Sequence, residues 1–185
     1  MTFHVLIYPE HALLWSVRYA LSKYPDPNHS PHDAYIAAGS ACVLSLQGAL
    51  EAIVNRLLEA QGKLQHWDEL RTVSKVDTIA ELAGNTIDWG RQPWQELARL
   101  IRLRNWLAHN KEAVIGLVNS DGKWIRGGLK NRIPKLDPGK ELLQDSIRSL
   151  YDSVREAGGL LADMVGVADN FEFLKTEKYE PRLVG

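Results

Sequence analysis

Cysteine is almost absent: Cys42 is the only one in 185 residues. No intramolecular disulfide and no cysteine-based zinc site can form. Its neighbours are Ala, Val and Leu, the setting of a small core residue. Histidines are few and not spaced as metal ligands. His4, His11, His29, His32 and His66 show no ligand pattern, and His29, His32 and Asp33 read as a surface turn. Neither a metal nor a cofactor is expected. The N-terminus lacks the basic segment and long apolar core of a secretion signal. The longest charge-free run, 34–50, has 17 residues rich in Ala, Gly, Ser and Gln. That is too short and too polar to span a bilayer. The expectation is a buried helix in a cytoplasmic protein, with no membrane partner. Gly127-Gly128 is not followed by Lys-Ser or Lys-Thr, so there is no phosphate loop, and there is no nucleophile elbow. An excess of charge is missing too: 22 basic and 23 acidic side chains give a net −1. That balance argues against a uniformly basic nucleic-acid binder.

What is present is helical periodicity. Leu13, Val17, Ala20 and Leu21 share one side of a helix predicted over 9–23, which Pro25 and Pro27 stop. Ser30 is the expected cap of a long second helix over 31–60, with Pro31 at its first position. Ile36, Gly39, Val43, Leu46, Leu50, Ile53 and Leu57 step by three and four, the seam of an antiparallel bundle. Gly62 ends it. A short helix or turn is predicted over 67–73. Another helix is capped by Ser74 and stopped by Gly84-Asn85, and one opens at Pro93 or Trp94 and runs to about Ala108. Asn-Ser-Asp-Gly between two short apolar runs, 113–118 and 123–126, signals a hairpin. A last helix is predicted over 140–165, with Gly158-Gly159 as a weak point, followed by a tail that Phe171, Phe173 and Tyr179 clip to the body. No repeat or linker divides the chain. It reads as one all-α domain over 1–185, with an insertion at 110–139 and a tail at 170–185.

The chemistry concentrates at the end of the fourth predicted helix, Ile-Arg-Leu-Arg-Asn-Trp-Leu-Ala-His-Asn, 101–110. Leu97, Leu100, Ile101, Leu107 and Ala108 form an apolar stripe, and Arg104 falls on it. A guanidinium there must find an anion or several acceptors, because it cannot lose its charge. Glu51 and Asn55, one turn apart beside the second helix's seam, are the expected partners, Glu51 first. Five residues separate Arg104 from His109, about 140° of rotation. The two converge only if the helix unwinds at Asn110 or two chains meet about a two-fold axis. Trp106 lies off the stripe and suits either a dimer contact or packing under the following loop. Trp67, Trp89 and Trp94 read as core or interface anchors. Trp124, among Lys123, Arg126, Lys130 and Arg132, suits base stacking or packing on the bundle.

Arg104-Asn105-x-x-x-His109 resembles the R-x4-6-H signature of HEPN domains (higher eukaryotes and prokaryotes nucleotide-binding). An all-helical context matches, with a long alanine-rich helix carrying Leu50-Glu51-Ala52-x-x-Asn55, and the resemblance covers residues 31–165. It implies a four- to five-helix up-down bundle with a small hairpin or loop insertion after the motif helix. Many HEPN domains are dimeric, metal-independent endoribonucleases. By that resemblance Arg104 would neutralise the scissile phosphate and Asn105 would position the pair. His109 would move a proton as a ribose 2′-hydroxyl attacks. Arg102 also lies within the allowed spacing of His109, so the arginine is not unique. Some HEPN toxins carry a modifiable tyrosine two places after the histidine; Lys111 stands there instead. The expected function is cleavage of single-stranded RNA by a homodimer, in defence or beside an antitoxin or other protein partner. The alternative is a non-catalytic HEPN-like scaffold that binds a protein partner or RNA.

The local charge supports an RNA partner. Residues 97–140 hold ten Lys or Arg and three Asp or Glu, a local +7 in a chain of −1. Arg102, Lys111, Lys123, Arg126, Lys130 and Arg132 are the expected RNA contacts. A basic groove on an otherwise acidic body satisfies the same arithmetic.

Overall fold

The computed structural model describes residues 4–6, 8–26, 28–62, 69–109, 117–118, 124–125, 138–176 and 182–184. The side chains of the strand residues and of His32, His109, Pro138 and Thr176 lie outside that description. The body is all-helical. Among the described residues the helices are α1 (Pro9–Ser22), α2 (His32–Ala60), α3 (Thr72–Leu82), α4 (Trp94–His109), α5 (Pro138–Glu141), α6 (Gln144–Met164) and α7 (Phe173–Thr176). A 3-10 turn, Ala168–Phe171, precedes α7. Two short antiparallel pairings accompany them. β1 (His4–Leu6) pairs with β4 (Arg182–Val184), bringing the chain's two ends together. β2 (Leu117–Val118) pairs with β3 (Trp124–Ile125), on either side of the expected hairpin turn.

The central element is α2, which packs against α1, α3, α4 and α6. By length and composition alone it could cross a membrane. In the fold its seam from Val43 through Leu46, Leu50, Ile53 and Leu57 is fully buried, as its three–four spacing dictates. Each such leucine or isoleucine contributes about 1.5–3 kcal/mol by leaving water. Cys42 is buried beside this seam, and burial pushes its thiol up to about 11. Gly62, just past α2, and Gly84, just past α3, both take positive φ and end their helices as expected.

Three boundaries differ from the sequence expectation. Pro31, not Ser30, occupies the cap position of α2, and no side chain caps it. α3 starts at Thr72, two residues before Ser74, because Thr72 and Lys75 are drawn against α2. The predicted last helix is divided into α5 and α6 at Leu142–Leu143. Leu142 is fully buried, and its carbonyl accepts a hydrogen bond from the Tyr24 hydroxyl instead of joining a helical ladder. Gly39 makes this junction possible: a Cβ there would lie 2.6 Å from Tyr24 Oη and 2.7 Å from Leu142 Cβ. Burial of the Tyr24 phenol raises its pKa strongly. Gly158 and Gly159 do not interrupt α6. At Gly158 a Cβ would meet Leu174 Cδ1 at 2.9 Å, so the missing side chain lets α7 settle on α6. Phe171 is buried there and Phe173 is half-buried against the core, as expected for the tail, Leu174 is buried beside them, and Tyr179 lies outside the described residues.

The bundle has two distinct ends. At one, α6 begins beside the end of α1 and the start of α2: Gln144 Nε2 donates to Leu21 O at 2.7 Å, and Leu142 lies against Gly39. α4 runs antiparallel to α6, since Ser149 bonds Glu96 and Ser146 O accepts from Arg99. Its C-terminal half therefore points to this same end. At the other end, α2 and α6 finish together, with Gln61 Nε2 donating to Val165 O at 3.3 Å.

Candidate functional site

Leu97, Leu100 and Leu103 are fully buried on α4, and Trp94 nearly so. Arg104 is half-buried, Ile101 and Leu107 are also half-buried, and Ala108 is exposed. The buried stripe is thus centred on Leu100 and Leu103, not on the face through Arg104 and Ala108 that the sequence suggested. The physical reason is that α4 is seated in the angle between α2 and α6. Both neighbours claim the 97–100–103 line, which puts Arg104 at its edge.

Arg104 and Asn105 are brought together: Arg104 Nη1 donates to Asn105 Oδ1 at 3.3 Å, in an exposed setting. Arg102 is exposed on the same stretch of helix. The ion pair expected between Arg104 and Glu51 is not formed. Glu51 Oε1 accepts instead from Thr72 Oγ1 at 3.1 Å and from Gln47 Nε2 at 3.0 Å. Asn55 is likewise engaged elsewhere, with its Oδ1 taking a 2.7 Å hydrogen bond from Lys75 Nζ. Glu51 and Asn55 therefore fasten α3 to α2 and do not hold the motif. Lys75 is buried with its ammonium on that amide, a partnership the sequence did not disclose.

Arg99 fills the bridging role the sequence gave to Arg104. It pairs with Glu96 at 2.6 Å and with Glu141 at 3.1 Å, and donates to Ser146 O at 3.2 Å. All three charged side chains are at most 20% exposed, so the network is largely desolvated. The i, i+3 spacing of Glu96 and Arg99 was the signal available for it. Trp106 is half-buried against the core, with its indole nitrogen enclosed and unbonded among the described residues. Trp89 and Trp94 are packing residues, meeting edge to face at 6.4 Å, with Trp89 Nε1 donating to Asp77 at 2.8 Å.

α4 ends at His109, whose side chain lies outside the described residues, as do Lys111, Lys123, Arg126, Lys130 and Arg132. What the described part supplies is a half-buried guanidinium at the edge of the core, an amide oxygen orienting it, and a second, exposed guanidinium two residues earlier, about 200° around the helix. Arg104 offers the planar fork that suits a phosphate. The helix places a histidine five residues beyond. Among the described residues no group of His, Cys, Asp and Glu side chains could hold a metal ion. His29, as expected, belongs to a surface turn, 2.6 Å from Asp26. The Asn28 backbone N–H, and after it the His29 contact, hold the Asp26 carboxyl below its usual range. Compared with known proteins, the chain matches no family model, no curated protein and no solved structure.

Proposed function

We propose that the chain is a HEPN-like endoribonuclease that cleaves single-stranded RNA as a homodimer without a metal. The observation that supports this reading is the contrast between two arginines on one helix. Both terminal nitrogens of Arg99 are engaged, by Glu96, Glu141 and Ser146 O, with its Nε enclosed by the fold, whereas Arg104 bonds only Asn105 among the described residues. A guanidinium left with unused donors at the edge of a bundle is available to a phosphate.

In the proposed reaction Arg104 neutralises the phosphorane oxygens and Asn105 holds the guanidinium plane. His109 moves a proton as the ribose 2′-oxygen attacks phosphorus. The 5′-oxygen leaves with a proton, giving a 2′,3′-cyclic phosphate and a 5′-hydroxyl. Two protomers meeting at their motif ends would bring both sets of side chains to one groove, since positions 104 and 109 lie about 140° apart around a regular helix. The biological setting that goes with this reading is defence, or a pair with a neutralising protein partner.

The test is an RNA-cleavage assay with excess chelator, comparing wild type with His109→Ala on varied single-stranded RNAs. Cleavage with 2′,3′-cyclic ends, lost in the variant, is the expected result. No cleavage by wild type, or cleavage the substitution leaves untouched, overturns the mechanism. RNA binding without cleavage would point to the scaffold reading.

A further inference from the structure

One surface of α1 is not used by the bundle. Leu14, Val17 and Leu21 bury one side of this helix. On the opposite side Trp15 and Tyr19, one turn apart, are 58% and 57% exposed. Their rings are stacked, with centroids 5.7 Å apart and planes inclined by 13°. Two large rings held parallel in water offer outer faces to a third planar ring.

The surroundings of the pair indicate which ring. Arg18, three residues after Trp15, and Lys23, four after Tyr19, are both exposed and flank the aromatic pair on its two sides. The only acid of α1 is Glu10, which is buried and neutralised by Arg56 at 2.6 Å. The outer face of α1 therefore carries cations and no exposed carboxylate, in a chain whose net charge is −1. The neighbouring hydroxyls are turned back onto the helix, Ser16 Oγ to Leu13 O and Ser22 Oγ to Tyr19 O. An aromatic step between two cations is complementary to bases stacked along a phosphate chain.

We propose that Trp15 and Tyr19 form a stacking platform for the bases of a single-stranded nucleic acid, with Arg18 and Lys23 on its phosphates. The platform adds a contact outside the motif, and its binding does not require that the motif cleave. Its position suits a common strand. Leu21 O is held by Gln144, and Ser146 O by Arg99, so the C-terminal end of α1 and the Arg99 turn of α4 both reach the first turn of α6, and α4 continues from there toward Arg104. A strand lying on Tyr19 and Lys23 is directed toward the end of the bundle that carries Arg104.

The probe is a labelled 2′-O-methyl oligouridylate of about 12 nucleotides, near the upper range of single-strand site sizes. Its blocked 2′-oxygen cannot be cleaved, so binding is read apart from catalysis. Titration of the full chain by anisotropy should show saturable binding that Trp15→Ala weakens about tenfold or more, with Trp15→Phe retaining most of it. Arg18→Gln and Lys23→Gln should each weaken binding less and flatten its salt dependence. Trp15 is exposed, so circular dichroism and the melting temperature of Trp15→Ala should match wild type. Absence of binding by wild type overturns the proposal. So does an unchanged affinity in the Trp15→Ala/Tyr19→Ala double variant, or Trp15-dependent self-association that the oligonucleotide does not alter. A wild type that binds through Trp15 yet cleaves no unmodified RNA leaves the platform standing and removes the nuclease.

Discussion

The two ends of the bundle use arginine in opposite ways. Where α2 and α6 finish, Arg56 lies between the Tyr8 and Phe171 rings, 3.9 and 4.6 Å from their centroids. It pairs with buried Glu10 and donates to Asn170 O at 3.1 Å. At the other end, among the described residues, Arg104 bonds one neutral neighbour, Asn105, and Arg102 is exposed. One arginine is consumed by ion pair, carbonyl and ring faces together; the others, among the described residues, keep most of their donors. The difference teaches that a motif arginine is distinguished less by its burial than by what it has already bonded.

The strongest way to break this comparison is to remove the consumed arginine. Arg56→Ala should cost about 3–5 kcal/mol of folding stability, because it leaves the Glu10 carboxylate buried without its counter-charge and uncovers two rings. Urea unfolding measures it. A loss no larger than that of a surface substitution would mean that the Arg56 end is not closed by this contact.

The next effect belongs to the open end. Arg104→Ala should lower RNA cleavage about 100- to 1,000-fold, the range for removing a donor from a developing oxyanion. Its unfolding midpoint should scarcely move, within about 0.5 kcal/mol. Arg102→Ala in the same assay decides which arginine acts. A larger catalytic loss at Arg102, or a large stability loss at Arg104, would reverse their assigned roles. The opposite profile is expected five residues earlier. Arg99→Ala should destabilise the fold by about 2–4 kcal/mol, since Glu96 and Glu141 are then left mostly buried without a cation. Any change in cleavage should be secondary to that loss.

Much of this was legible before the structure, and the reasons differ by element. The apolar positions of α2 repeat at helical spacing from Ile36 to Leu57, about six turns, and nothing competes with that signal. The motif helix was legible as a helix but not in its rotation. Ile101, Leu107 and Ala108 are apolar enough to widen the apparent stripe, and only the seat between α2 and α6 selects Leu97, Leu100 and Leu103. That is why Glu51 was matched to an arginine: its actual partners are Gln47, one turn earlier on α2, and Thr72, which comes from a helix start displaced by two residues from Ser74. The division at Leu142 depends on Tyr24 and Gly39, more than 100 residues away, and leaves no local trace. Trp15 and Tyr19 were hidden by a different rule, since exposed aromatic residues have the same letters as buried ones.

The smallest effect concerns pH, and it should act on one end alone. His11 belongs to the closed end, its ring 3.6 Å from Phe173 between centroids, next to Glu10 and Arg56. Burial lowers its pKa below 6.5, helped by the Arg56 charge and opposed by Glu10. The folded state therefore prefers the neutral imidazole, and the unfolded chain takes up a proton more readily. His11's contribution is complete above about pH 6.5 and is lost as pH falls through the lowered folded value. The melting temperature should drop between pH 7.5 and 5.5, with part of that drop absent in His11→Gln. Hydrogen exchange, taken relative to the intrinsic amide rate at each pH, should quicken as pH falls over the same range in α1's first turn and in residues 168–175, and not around Leu142. Uniform quickening at both ends would show that His11 reports on global unfolding and not on the closed end.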